Sequence, residues 1–306
     1  MSIQYVKNKD INFYKWDQCI LRSLNGIIYA YSWYLNMVSD NWDALIEDDY
    51  VTVMPLVIKR QFNQQIVSTP YYLHQLGIFS IKLLDKKKIS DFINAIPLNI
   101  RYYDIRLNRY NNVELEGYGK IIKDPCFELD LIKPYHKTKA KYSGKTLETL
   151  NNATFKKVSV VEGLSINEMM QFMKQVRSVL PGAIKKDNFK LFRILVASSV
   201  RFRLGSVYGA YSEYNELCAI TFIIKSHNSL VLLCAAANKT GTENKAIFLL
   251  IDNIIKKYSQ KNLTLSFEYI DNYCNENFYM GFGSIKSSII RIRKNNLPFY
   301  LRFLKH

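Results

Sequence analysis

A chain of 306 residues, 48% hydrophobic and 22% charged, is long enough for about two domains and too apolar to stay unfolded. Its 12 Gly and 7 Pro exclude a collagenous or linker-dominated protein. A net charge of +16 suits phosphates, whether of a nucleotide, an RNA or an anionic lipid surface, but a Lys-, Asn-, Ile- and Tyr-rich composition also arises from codon bias and then leaves solvated lysines that bind nothing.

The N-terminus, MSIQYVKNKD, is charged within seven residues and lacks an apolar h-region, so neither a signal peptide nor a lipid anchor is expected. The longest apolar run, LVLLCAAA at 230–237, falls far short of the ~20 residues a membrane span needs. The expectation is a cytoplasmic chain without a transmembrane segment.

Helical spacing predicts helices from Ile11 to Ser23 and from Ala30 to Val38. WDALIE, DDY and VTVMPLVIKR then read as strand, tight turn and strand, with Asp48 and Asp49 at the corner. A third strand, IVST at 66–69, precedes a helix from Lys87 to Ala95 and a further strand. Residues 133–157 carry seven lysines against Glu148 alone, and this segment is expected to begin as a loop and end in a helix.

The second half repeats the first. Ser165 and Glu168 form a capping box ahead of Ile166, Met169, Met170, Met173, Val176 and Leu180 at helical spacing, and Asp187 is placed to cap a helix with Phe189, Phe192 and Leu195 inward. SVYGAYS, EYNE and LCAITFIIK form the second hairpin, followed by LVLLCAAA. Ile247, Leu250, Ile251, Ile254 and Tyr258 mark the next helix, and LTLSF the next strand. After it come Glu268, an asparagine-rich loop and an aromatic patch closed by Gly281 and Gly283. The recurrence predicts an internal duplication: a first unit over 1–133, a basic connector over 134–157 and a second unit over 158–306.

Several chemistries lack their residues. Five scattered cysteines without C-x-x-C spacing argue against a disulfide framework, and His74, His136, His227 and His306 form no metal-ligating pair, so no metal is expected. SGKT at 143–146 has no glycine five residues before Gly144 and no strand leading in, which rejects a phosphate-binding loop. There is no G-x-S-x-G elbow, no G-x-G-x-x-G after a strand and no kinase signature.

The repeated order of helix, helix, hairpin, third strand, helix, strand, short helix and final strand resembles the GNAT acyltransferase fold. Two such units in tandem resemble the Fem-type proteins. SFEYIDNYCNENFYMGFG is similar to the closing motif of that group, with Glu268, Phe278, Tyr279, Phe282 and Gly283 in its places. The GNAT pattern N-x-x-A-x-x-x-Y-x-x-x-G-F also fits, with Asn272, Tyr279 and Gly283 in phase, although Asn275 replaces the small apolar residue and Ser284 the final aromatic. The resemblance implies an α+β fold of two tandem units, each a twisted, mostly antiparallel sheet flanked by helices.

It also implies where chemistry sits. In a GNAT unit the fourth and fifth strands splay apart, and the acyl donor lies in the gap with strand-like hydrogen bonds to the exposed edge. An amine attacks its carbonyl, which needs a base, a donor to the carbonyl oxygen and an acid for the leaving group. The resemblance assigns the base to Glu268, the acid to Tyr279 and the oxygen donor to a backbone N–H near Cys234, Ala235, Ala236 or Ala237. Asn272 and the segment Asn238, Lys239, Thr240, Gly241, Thr242, Asn244 and Lys245 stand where the family binds pyrophosphate. Only one glycine is present there, and the donor is left as acyl-CoA or, as in Fem-type proteins that lack the full loop, aminoacyl-tRNA. Tyr31, Trp33, Tyr34, Trp42, Tyr72 and Gln75 of the first unit are candidates to line an acceptor cleft. The acceptor is then an amine of a small molecule or peptide, with tRNA as a partner where it is the donor. The competing expectation is a non-catalytic module binding a cell-envelope or nucleic-acid ligand through its basic surface.

Overall fold

The structure, a computed structural model, describes residues 2–39, 41–61, 63–111, 119–176, 189–267 and 276–302. It divides into two compact units, Met1–Pro125 with Ser288–His306, and Cys126–Ser287.

In the first unit, β1 (Ile3–Val6) is followed by helices α1 (Phe13–Arg22) and α2 (Ser32–Val38), then β2 (Trp42–Glu47), β3 (Thr52–Gln61), β4 (Gln64–Ser68), the short β5 (Phe79–Ser80), helix α3 (Lys86–Asn94) and β6 (Tyr102–Arg106). The predicted hairpin is β2 against β3, with Trp42 opposite Val57 and Glu47 opposite Thr52. Asp48 and Tyr50 hold positive φ at its corner, as a tight turn between twisted strands requires. β4 runs antiparallel to β3 and parallel to β6, and the core between sheet and α3 is built from Leu45, Met54, Leu56, Ile89, Phe92, Ile93 and Ile105.

The second unit begins within β7 (Lys120–Asp130) and continues with helices α4 (Tyr135–Lys139) and α5 (Gly144–Phe155), β8 (Ser159–Glu162), helices α6 (Ile166–Gln175) and α7 (Phe189–Arg201), and strands β9 (Gly205–Tyr211), β10 (Leu217–Ser226) and β11 (Ser229–Ala237). Helices α8 (Lys239–Glu243) and α9 (Ala246–Tyr258), strand β12 (Thr264–Phe267), helix α10 (Glu276–Gly281), β13 (Ile285–Asn295) and α11 (Phe299–Arg302) complete the chain. β8, β9, β10 and β11 form an antiparallel series, β11 pairs parallel with β12, and β12 antiparallel with β7. Ser165 and Glu168 make the expected capping box at α6. Asp187 and Leu180 lie outside the described residues.

The unit boundaries differ from the contiguous ones the duplication predicts. β13 pairs with β6, placing Arg291 opposite Arg106 and Asn295 opposite Tyr102, and Ile292 is fully buried in the first core. The strand closing the first sheet therefore comes from the end of the chain. Residues 134–157 are likewise no connector. They start as helix α4, not as a loop, and with α5 they pack inside the second unit. The carboxylate of Asp252 on α9 accepts the Tyr135 hydroxyl at 2.8 and 2.9 Å and the Tyr142 hydroxyl at 3.0 Å. Burial, reinforced by that carboxylate, holds both phenols far above their ordinary pKa, so both stay donors. SGKT has a plain role as well, since the Ser143 side chain accepts the Thr146 N–H and caps α5.

Candidate active site

The second unit carries an irregularity beside the end of its described parallel pairing. Phe222 stands opposite Cys234 but Ile223 opposite Leu232, so Leu233 is an extra residue in β11, a β-bulge. An inserted residue reverses the alternation of side chains beyond it. Leu230 and Leu232 before the bulge and Ala235 and Ala237 after it accordingly face the same core. On the other side, β11 pairs with β12 only from Ser229 opposite Thr264 to Leu232 opposite Phe267. Beyond that point, among the described residues, Leu233–Ala237 has no strand partner on its β12 side.

A cavity of about 160 Å³ opens at the end of this edge, lined by Ala237, Gly241, Thr242, Lys245, Ile247, Phe248 and Phe278. Ala237 is the last residue of β11, and Lys245 to Phe248 form the start of α9, which has no side-chain cap. A helix N-terminus with a lysine beside it favours an anion. Phe278 meets Phe248 edge-on at 4.8 Å between ring centroids, making an aromatic wall.

Gly241 is fixed by space. A Cβ there would lie 2.0 Å from the Cys218 carbonyl oxygen, so α8 sits directly on β10. The Asn238 side chain accepts the Gly241 N–H at 2.9 Å, and the Asn238 carbonyl accepts that of Thr242 at 2.9 Å. These two amides are used within the turn. Lys239 is exposed, Thr240 half-buried, and Asn244 ends α8.

Tyr279 is 2% exposed and stacks on Phe127 at 4.9 Å, with Phe267 at 5.4 Å. Its ring thus lies against the last residue of β12, immediately before Glu268 in the chain. Glu268 and Asn272 themselves lie outside the described residues. At the end of α10, Gly283 has φ of +76°, which reverses the chain toward β13 at no steric cost. Cys234, Ala235 and Ala236 are buried in the sheet, and burial pushes the Cys234 thiol up to about 12, removing it as a nucleophile.

The structure brings together Ala237, Gly241, Thr242 and Lys245 of the sequence-predicted residues. It adds Ile247, Phe248 and Phe278, of which Ile247 reads in sequence as helix core and Phe278 as part of the closing motif. The first-unit aromatics do other work. Tyr34 and Trp42 are 0% and 1% exposed and have no surface to offer a ligand, so they are core residues. The Tyr34 hydroxyl donates to the Tyr72 carbonyl at 2.7 Å, and the Trp42 indole to Asn36 at 2.7 Å. Tyr72 and Gln75 are buried, Gln75 accepting the Arg109 N–H at 3.2 Å, while Tyr31 and Trp33 remain half-buried.

In the first unit the corresponding parallel pairing continues further. Past the pairing of Ser68 with Asp104, the Leu76 N–H donates to the Arg106 carbonyl at 3.0 Å, and Leu76 bridges Leu107 in parallel. Among the described residues no group of three His, Cys, Asp or Glu can hold a metal ion, and no helix is long and apolar enough to cross a membrane.

Two GNAT-like units in this order define a GNAT-like, Fem-type fold. The crystal structure of FemX shares it at 8% identity, with a TM-score of 0.66 and 100% of both chains covered. A conserved protein of unknown function from Bacteroides thetaiotaomicron matches at 10% identity and TM-score 0.59, over 96% of this chain and 100% of that one. L-PGS from Bacillus licheniformis matches at 11% identity and TM-score 0.55, over 88% and 89%. No protein-family model and no curated protein matches the chain.

Proposed function

We propose that the chain is an N-acyltransferase whose donor binds in the second unit. The observation that carries this reading is the bulged edge of Leu233–Ala237, paired on one side only among the described residues, ending in a cavity at the start of α9. The acyl end of the donor lies along that edge, and Lys245 with the α9 N-terminus meets its phosphate. The amine nitrogen forms its bond to the donor carbonyl carbon, the bond to the leaving sulfur or oxygen breaks, Glu268 takes the ammonium proton, and Tyr279 returns one to the leaving group.

Between the two donors, the turn at α8 supports an aminoacyl ester of tRNA over a CoA thioester. The turn has one glycine, Gly241, where the diphosphate-binding loop of the family has more, and the Asn238 side chain already holds the Gly241 N–H. The acceptor is an amine.

Calorimetric titration with acetyl-CoA and with bulk aminoacylated tRNA tests the reading. The expected result is tRNA binding that weakens with salt and is reduced at least about tenfold, ~1.4 kcal/mol, by Lys245→Glu. Tight acetyl-CoA binding would reverse the donor assignment. Binding of neither would leave a non-catalytic module.

A further inference from the structure

Two loops of the first unit hold large aliphatic side chains in solvent. Leu21, at the end of α1, is 56% exposed and Leu24 in the following turn 73%, while Ile81 and Leu83, between β5 and α3, are 40% and 87% exposed. Tyr14, two turns before Leu21 on α1, is 74% exposed. These loops are neighbours. The buried Asn25 donates to the Ile78 carbonyl at 2.7 Å and accepts the Ser80 N–H at 3.4 Å. Ile81 in turn donates its N–H to the Val51 carbonyl at 3.1 Å, an oxygen that the Cys19 thiol of α1 also approaches at 3.9 Å. Leu24 and the Ile81–Leu83 stretch are therefore anchored at their bases, with their apolar ends outside.

Cations alternate with them along the chain, as LRSL at 21–24 and IKLLDKKK at 81–88. Arg22, Lys82, Lys86 and Lys87 are all exposed. Of the nearby acids, Asp49 is paired with Lys15 at 2.7 Å and Glu47 with Lys88, while Asp48, Asp85 and Asp91 stand against the four basic positions of the two stretches. The rim keeps a net positive charge.

We propose that this surface docks the first unit on an anionic lipid bilayer, with Leu21, Leu24, Ile81 and Leu83 entering the boundary between headgroups and acyl chains. Arg22, Lys82, Lys86 and Lys87 lie at phosphate level, their stems along the apolar side chains. The composition selects lipid over other partners. Single-stranded RNA wants stacked aromatic platforms, and protein interfaces are depleted in lysine. Isolated aliphatic tips separated by lysines suit a fluid surface that closes around each of them. This surface lies outside the donor site and does not depend on it.

The test is co-sedimentation of the full chain with large vesicles of phosphatidylcholine alone or with half phosphatidylglycerol. The chain is expected to pellet with the anionic vesicles and stay in solution with the neutral ones. Leu24→Asp with Leu83→Asp should lower the anionic partition at least tenfold while circular dichroism and the melting temperature stay native. Lys82→Glu with Lys87→Glu provides a second variant that leaves the leucines in place, and should also lose the preference for phosphatidylglycerol. Wild-type chain left in the supernatant with anionic vesicles, or either folded double variant partitioning as wild type, overturns the proposal. Displacement from vesicles by bulk RNA, with RNA binding abolished by the leucine changes, would assign the surface to nucleic acid instead.

Discussion

The chemistry proposed for Tyr279 rests on one oxygen. Tyr279→Phe keeps the ring that stacks on Phe127 and Phe267, so the melting temperature should hold. Acyl transfer should fall by roughly 10²-fold, the usual scale for a lost general acid, with donor affinity unchanged because the proton moves only in the transition state. Full activity of the variant in a steady-state assay would make Tyr279 a packing residue. Gly241 and Gly144 make a second residue-scale contrast. Gly241→Ala drives a methyl into the Cys218 carbonyl and should cost about 1–3 kcal/mol in urea unfolding, the usual range for overpacking. Gly144→Ala meets nothing within 4 Å at the first turn of α5 and should be neutral or gain up to ~1 kcal/mol. Equal effects would remove the steric reading of Gly241. Buried thiols set an alkaline limit in the same way. Burial raises Cys19 and Cys218 to about 11 and Cys234 to about 12 from 9.0. A raised pKa means full stability below pH 9 and progressive loss as pH climbs through 11 and 12, because the unfolded chain releases those protons first. Denaturant midpoints falling across that window, with slow native iodoacetamide labelling of these three at pH 8, are the expected outcome.

At the scale of elements, hairpins were legible because turn chemistry and alternation are local signals. WDALIE-DDY-VTVMPLVIKR and its counterpart near residue 210 each state strand, corner and strand within 20 residues, and both formed. The Ser165–Glu168 box was legible for the same reason. The bulge was not. Nothing in LVLLCAAA says which residue is extra, since all eight are apolar and the decision is made by β10 on one side and α9 on the other. The cavity inherits that gap: Ile247 follows a helical period that reads as core, Phe248 stands outside that period, and only the end of β11 makes them a wall. Deleting Leu233 should close the ladder, with Cys234 still opposite Phe222, Leu232 still opposite Ile223 and Ala235 and Ala237 still on the core face, so the chain should fold while the bulged edge is lost and donor binding falls. Leu233→Met, which keeps the count and nearly the volume, should cost under about 1.5 kcal/mol. A deletion variant that fails to fold would mean that the ladder needs the extra residue, and one that binds the donor as wild type does would mean that the bulge does not shape the edge.

At the scale of the whole molecule, duplication was legible in the order of elements, but the exchange of the closing strand was not. A strand such as IKSSIIRIRKN carries no address, and its partner is chosen by charge and core contacts 187 residues away in the chain. Arg291 donates from Nε and Nη2 to the two oxygens of Asp104 at 2.5 and 2.7 Å, and Arg293 adds a bond at 3.0 Å. Burial alone would raise the Asp104 carboxyl, but the two guanidiniums outweigh it and the net shift is downward. Stability from this cluster is thus present above pH 3.8 and lost as pH falls below it. Residues 1–125 without β13 should then fold poorly, because Ile292 leaves a hole in the core, β6 loses the ladder from Arg106 to Tyr102, and Asp104 keeps a charge without its partners. Residues 1–125 fused through a glycine-serine linker to 285–302 should recover a cooperative thermal transition, and Arg291→Met with Arg293→Met in that fusion should weaken it above pH 5 far more than at pH 3. Separate expression of the two pieces, with circular dichroism melts at both pH values, measures this directly. A stable fold for 1–125 alone would show that the first unit needs nothing from the end of the chain, and that the returning strand only covers an edge.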